Sequence, residues 1–251
     1  MNKNSEPSLQ ILSEHRNHFP LCFHQGTLYS SSGTSLYKWI DLQKPERVGH
    51  LNLPLLARLF AKIRPIGRLL RLGFSHLAIA DSGAQMAIAN RKPFFSSGAN
   101  APFLLKDTLR DSVRRPMRFG LGTKGKEAFY IAEYFSNPTR EEVHLLAAQG
   151  NASFQPVFTF PDGKIRHIHL VQHDPYSDHI WIATGDYGPE CQIAWLDEGF
   201  ESLHVIGSGD QSWRATCLLF QEDAVLWGMD SPWEPASIIR WDRRSGEREF
   251  L

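Results

Sequence analysis

One pattern constrains this chain more than any other: strand-like starts recur at nearly even intervals. They fall at His18, Arg71, Arg118, Arg166 and Arg214, separated by 53, 47, 48 and 48 residues. The clearest copy starts at Arg166. From there to Gln172 polar and apolar residues alternate, as a half-buried strand requires. His173 to Asp178 carries turn chemistry, with Pro175 fixing φ and aspartates able to accept local backbone hydrogen bonds. Ile180–Ala183 reads as a second strand, Thr184–Gly188 as a turn, Gln192–Leu196 as a third strand and Leu203–Ile206 as a fourth. The unit is a four-stranded antiparallel meander of about fifty residues.

Two further landmarks repeat with it. The second strand of each unit ends in Ser32-Gly33, Asp81-Ser82-Gly83, Glu133-Tyr134, Asp186-Tyr187-Gly188 or Asp230-Ser231. Third strands end in Trp39-Ile40-Asp41, Trp195-Leu196-Asp197 and Trp241-Asp242. An even period filled with short strands predicts an all-β fold: one β-propeller domain over 1–251, each blade a four-stranded sheet. About five blades are recognisable, either a ring of their own or a truncated six-bladed one. The outer strand of the fifth is expected from Glu247–Leu251 or from Leu9–Ser13.

One insertion breaks the period, at about 51–70. Leu55, Leu56, Leu59, Phe60 and Ile63 fall on one helical face, Arg58, Lys62 and Arg64 lie elsewhere, and Pro65 ends the run. Two readings are open: a connecting helix packed on the rim, or a basic amphipathic helix making peripheral contact with an anionic membrane. The charges balance at 27 basic and 27 acidic residues, so no overall field favours nucleic acid. Three cysteines without metal-ligand spacing suit a reducing compartment. Met1–Pro20 lacks an apolar segment of signal-peptide type, and no run of 18 apolar residues exists. A cytoplasmic location is expected; the oligomeric state is left open.

Several segments resemble those of bacterial sialidase-like propellers, the Asp-box or neuraminidase-repeat proteins. They are Ala132-Glu133-Tyr134-Phe135 continuing through Arg140 to Val143, then Arg166-His167-Ile168-His169, Thr184-Gly185-Asp186, and Gly209-Asp210-Gln211 with Trp213-Arg214. Gln149 to Phe154 sits in the register of an eroded Asp-box, a turn whose side chain caps backbone N–H groups while an aromatic plugs the sheet. The resemblance implies glycan recognition, with an arginine cluster for a sugar carboxylate, a tyrosine nucleophile helped by a glutamate, and a separate carboxylic acid.

Innermost strands of a propeller line its channel, so Arg71, Arg118, Arg166 and Arg214 are placed to ring one mouth. Guanidinium forks there would hold a carboxylate bidentately, or would salt-bridge neighbouring blades through Asp81, Asp186 and Asp230. Glu133, Tyr134 and Asp186 are the candidate catalytic groups, with Glu190 a further carboxylate. Glu133 and Tyr134 can pair only in a loop, because successive strand residues point to opposite faces. Arg118, His167, His169, Gln211, Arg214 and Asp230 are the candidate ligand contacts. His167 and His169 share a strand face and with Asp186 or Glu190 could complete a metal site, but packed histidines are the commoner outcome, and neither metal nor cofactor is expected. Gly120 to Gly125 matches a dinucleotide fingerprint only in letters, since a strand rather than a helix follows. Trp233 is the best aromatic candidate for a sugar platform. The expected function is recognition of a glycan or anionic small ligand, with glycoside hydrolysis as an extension; the alternative is a non-catalytic protein- or membrane-interaction scaffold.

Overall fold

The computed structural model describes residues 17–40, 42, 44–106, 109–110 and 128–251, the side chains of Arg64 and Arg68 excepted. Five successive meanders account for every strand described. The first is β1 (Phe19–His24), β2 (Thr27–Ser32), β3 (Ser35–Ile40) and β4 (Lys44–Leu51). The second is β5 (Phe74–Ile79), β6 (Gln85–Ala89), β7 (Lys92–Ser96) and β8 (Pro102–Leu105). The third has β9 (Ala128–Ala132), β10 (Val143–Gln149) and β11 (Gln155–Phe160), and its expected first strand at Arg118 lies outside the described residues. β12 (Ile168–His173), β13 (Ile180–Thr184), β14 (Gln192–Leu196) and β15 (Leu203–Ser208) form the fourth, and β16 (Leu219–Phe220), β17 (Ala224–Gly228), β18 (Ile238–Asp242) and β19 (Arg248–Phe250) the fifth. Within each meander neighbours pair antiparallel; β4 and β8 also join, in parallel, through His50 opposite Pro102.

Apolar side chains fill the space between consecutive sheets, which makes these sheets blades. Leu36, Val48, Phe74 and Phe103 bind the first to the second; Met86, Ile88, Phe129 and Phe154 bind the second to the third. Tyr130, Leu145, Ile168 and Ile182 link third to fourth, and Leu170, Trp181, Trp213 and Trp227 link fourth to fifth. Covered on both faces, β6, β9 and β13 are buried at every position. This is why Ile180–Ala183 reads as an unbroken apolar run. Each large side chain so buried contributes roughly 1.5–3 kcal/mol.

Three expectations need correction, and the choice of outer strand for the fifth blade is resolved. The first strand of the fifth blade is only two residues long; well ahead of it, Gln211–Trp213 form a single 3₁₀ turn whose start is capped by the Asp210 carboxylate accepting from the Ser212 N–H. Its outer strand is the chain's own Arg248–Phe250, paired with β18; Leu9–Ser13 lies outside the described residues. Arg71 sits exposed in a turn ahead of β5 with φ of 53°, so it does not start the inner strand as Arg166 nearly does. In the eroded Asp-box register, Phe154 is buried against the sheet, while the turn is closed by the Gln149 carbonyl accepting from the Ala152 N–H rather than by a side chain.

At the opposite end of the blades from the Thr184–Gly188 turn, the turn after β12 latches the fourth blade to the fifth. Asp174 accepts from the Tyr176 N–H and the Ser177 hydroxyl, and its carboxylate meets the Arg243 fork at 2.7 and 3.0 Å. Among the described residues no helix is long and apolar enough to cross a membrane.

Candidate functional site

At one end of the inner strands, the fourth and fifth blades bring four cationic or imidazole side chains onto one carboxylate. Asp186 follows β13 and lies 3.2 Å from His169 Nε2, 3.4 Å from His167 Nε2, 3.3 Å from Arg166 and 3.1 Å from Arg214. Arg214 also reaches Asp230, at 3.4 Å. The Gln211 amide donates to the Asp186 carbonyl at 3.1 Å. The salt-bridge reading of the arginines holds for this pair: Arg214 crosses from its own blade to the aspartate of the preceding one.

The loop carrying Asp186 is folded back on itself. Gly185 has φ of 89°, and a Cβ there would come within 2.3 Å of the Glu190 backbone. That crowding lets the Thr184 hydroxyl donate to the Glu190 carbonyl at 2.8 Å. The Glu190 carboxylate then pairs with Arg140 at 2.6 Å and accepts from the Arg166 N–H at 3.0 Å. Above it, Tyr187 and Trp233 stack with ring centroids 5.7 Å apart. Trp233 is 61% exposed. Arg140 and Arg166 lie 5.8 and 5.9 Å from the Tyr187 ring, and Arg214 lies 5.9 Å from that of Trp233.

Glu133 and Tyr134 follow the end of β9, in the loop where pairing was open to them, and still part company. Tyr134 packs on His167 and His169, with ring centroids 4.0 and 5.5 Å away. Glu133 turns the other way, pairs with Arg110 and accepts from the His144 N–H at 2.8 Å. It lines a separate cleft of about 380 Å³ with Leu146, Ser153 and Phe154. Burial pushes the Glu133 carboxyl above its ordinary value, outweighing the His144 hydrogen bond and the Arg110 charge. Arg118 lies outside the described residues. Sequence reasoning missed Arg140, Arg110 and Tyr187 as site residues; Arg140 and Tyr187 stood inside quoted segments, but nothing local marks their partners.

Asp186 is buried enough to raise its carboxyl, yet hydrogen bonds and charge from His167 and His169 hold it well below the usual carboxylate range. A depressed carboxyl contributes stability that is complete above its unfolded value and is lost as pH falls towards the folded one. Acidification below about pH 4 is therefore expected to erode this contribution. Acid-unfolding curves of wild type and Asp186→Asn should converge there while remaining apart at neutral pH; parallel curves at all pH values would refute the coupling.

Buried polar atoms of this cluster without a hydrogen-bond partner include Arg166 Nε, Arg214 Nε, His169 Nδ1 and Gln211 Oε1. The ligand atoms of His167, His169 and Asp186 lie within 4.8 Å of one another, a spacing a metal ion could use. Against that, the same carboxylate already faces two guanidinium groups, which would repel a cation in this partly buried setting.

No family model and no curated protein matches this sequence. Solved structures do match in shape. Regucalcin, a calcium-binding protein from Agrobacterium tumefaciens, is similar at a TM-score of 0.51 with 11% identity, over 86% of this chain and 68% of that one. A gluconolactonase from Xanthomonas campestris is similar at 0.51 with 11% identity, over 90% and 71%. TolB from Acinetobacter baumannii is similar at 0.53 with 11% identity, over 86% and 48%. The chain folds as a β-propeller. At such identities the likeness is one of fold alone.

Proposed function

We propose that this propeller binds a small anionic ligand, of the sugar-acid or glycan-carboxylate class, at the mouth where the fourth and fifth blades meet. The observation that carries the reading is the convergence of the part-exposed Arg166 and Arg214 guanidiniums on one shared carboxylate beside an exposed aromatic pair. A planar fork is matched to an incoming carboxylate. The exposed Tyr187–Trp233 pair beside it offers the apolar face that a sugar ring stacks on. Sialidase-type hydrolysis would need Glu133 next to Tyr134; their divergence supports binding rather than turnover. Neighbours of the fold include a lactonase and a calcium-binding protein, so catalysis and metal binding both belong in the test.

Calorimetry with a panel of uronic and sialic-type acids and their neutral counterparts tests this, alongside chromogenic glycosides. Acids are expected to bind and neutral sugars to bind weakly. Arg214→Ala should lose roughly 10–100-fold in affinity, the worth of one charge-assisted hydrogen bond. No acid bound by wild type would overturn the reading. Zn²⁺ stabilisation that disappears in His167→Ala would replace it with the second reading, a metal held by His167, His169 and Asp186, which their clustering favours.

A further inference from the structure

The insertion between the first two blades forms two short helices, α1 (Leu55–Lys62) and α2 (Arg64–Leu69). A helix this short is not stable alone and usually buries its apolar face against the protein. Here the opposite happens. α1 rests on the fold through its small residues: Ala61 is 8% exposed, Ala57 is partly buried, and the Ala61 carbonyl faces the Gly33 turn and Gly67. The large residues point away. Leu55 is 70% exposed and Leu56 67%, and Leu59, Phe60, Ile63, Leu69 and Leu70 are exposed as well. Seven large apolar side chains in sixteen residues therefore face solvent.

The charge of this segment is one-sided. Between Arg47 and Asp81 there is no acidic residue, and residues 55–71 carry Arg58, Lys62, Arg64, Arg68 and Arg71. At 3.6 residues per turn, Arg58 and Lys62 run along the margin between the alanine seat and the leucine face, and both are exposed. Apolar residues at the centre and cations at the border suit a helix lying in a bilayer interface, its basic side chains reaching anionic headgroups. A protein groove would satisfy the leucines, but nothing about it requires five cations and no carboxylate.

We infer that residues 55–71 form a docking face for an anionic membrane surface, into which Leu55, Leu56, Leu59, Phe60 and Ile63 insert while the flanking basic residues engage the lipid headgroups. The Gly33 turn occupies in its blade the place that Gly185-Asp186 occupies in the fourth. The docking face and the His–Asp centre consequently sit on the same side of the propeller. This inference stands whether or not the centre binds an acid.

Vesicle co-sedimentation of the full chain decides it, using phosphatidylcholine alone and phosphatidylcholine with about one third phosphatidylglycerol. The protein is expected to pellet with the anionic vesicles, much less with the neutral ones, and less as salt rises. Arg58→Glu with Lys62→Glu should weaken binding by at least roughly tenfold, since each cation near the surface is worth several-fold. Leu56→Asp with Leu59→Asp should abolish it. These side chains are exposed, so thermal unfolding of the variants should match wild type; Leu56→Ser alone serves if the double variant unfolds. Equal pelleting with both vesicle types, undiminished binding by the leucine variant, or no binding overturns the inference. A dimer in light scattering that the leucine variant dissolves, without vesicle binding, assigns the face to a second copy and also overturns it.

Discussion

Arg243→Ala is expected to destabilise the protein by about 3–5 kcal/mol, the cost of stranding a buried charge. Its partner Asp174 is 0% exposed and makes both hydrogen bonds of the fork to this one side chain. Arg243 also lies over the rings of Trp181, Tyr176 and Phe220 and donates to the Gln221 carbonyl, so truncation removes packing as well as charge. Urea denaturation of wild type and variant measures the effect, and a difference below about 1 kcal/mol would place the pair with ordinary surface ion pairs instead. Replacing both partners together by apolar residues of similar volume should cost less than removing either one, because neither charge is then left unpaired. Burial pushes the Asp174 carboxyl up, but hydrogen bonds from Arg243 and Ser177 hold it below its usual value. The latch is therefore fully engaged above about pH 4 and loosens as pH falls further.

Gly185→Ala is the second change with a large expected effect, about 2–5 kcal/mol. Two costs add. The backbone is at φ of 89°, where an L side chain is strained, and the new methyl group would meet the Glu190 carbonyl and Cys191 nitrogen within 2.4 Å. Because both contacts are backbone, no side-chain rotation relieves them. The loop must shift, and it carries Asp186 at one end and Glu190 at the other. Loss of stability should accordingly be accompanied by loss of the acid binding proposed for the Arg166–Arg214 mouth. A variant that unfolds at the wild-type midpoint would show that the loop has another conformation available.

How much of this was legible in the sequence depended on range. The apolar run Ile180–Ala183 and the Gln192–Leu196 strand were readable because strand alternation and turn residues act over a few positions. The recurrence of Arg166 and Arg214 at matched places in the repeat brought both to the Asp186 carboxylate. The divergence of Glu133 and Tyr134 was not readable, because both lie in the loop after β9, where the two-residue period of a strand no longer applies. Trp233 was readable as an exposed aromatic because it lies in a turn bounded by Pro232 and Pro235, outside any strand that a neighbouring blade covers.

The blade and its period follow from residue order alone, since local backbone preferences and apolar patterning dictate them. Which side chains meet was decided only by tertiary structure. Arg140 finds Glu190 fifty residues away and Arg243 finds Asp174 sixty-nine residues away, and no local periodicity encodes such a pairing. The same holds for the helical insertion. Its pattern showed one apolar face and basic residues elsewhere, but whether leucines or alanines would seat it depended on the small space beside Gly33, a property of the assembled blades.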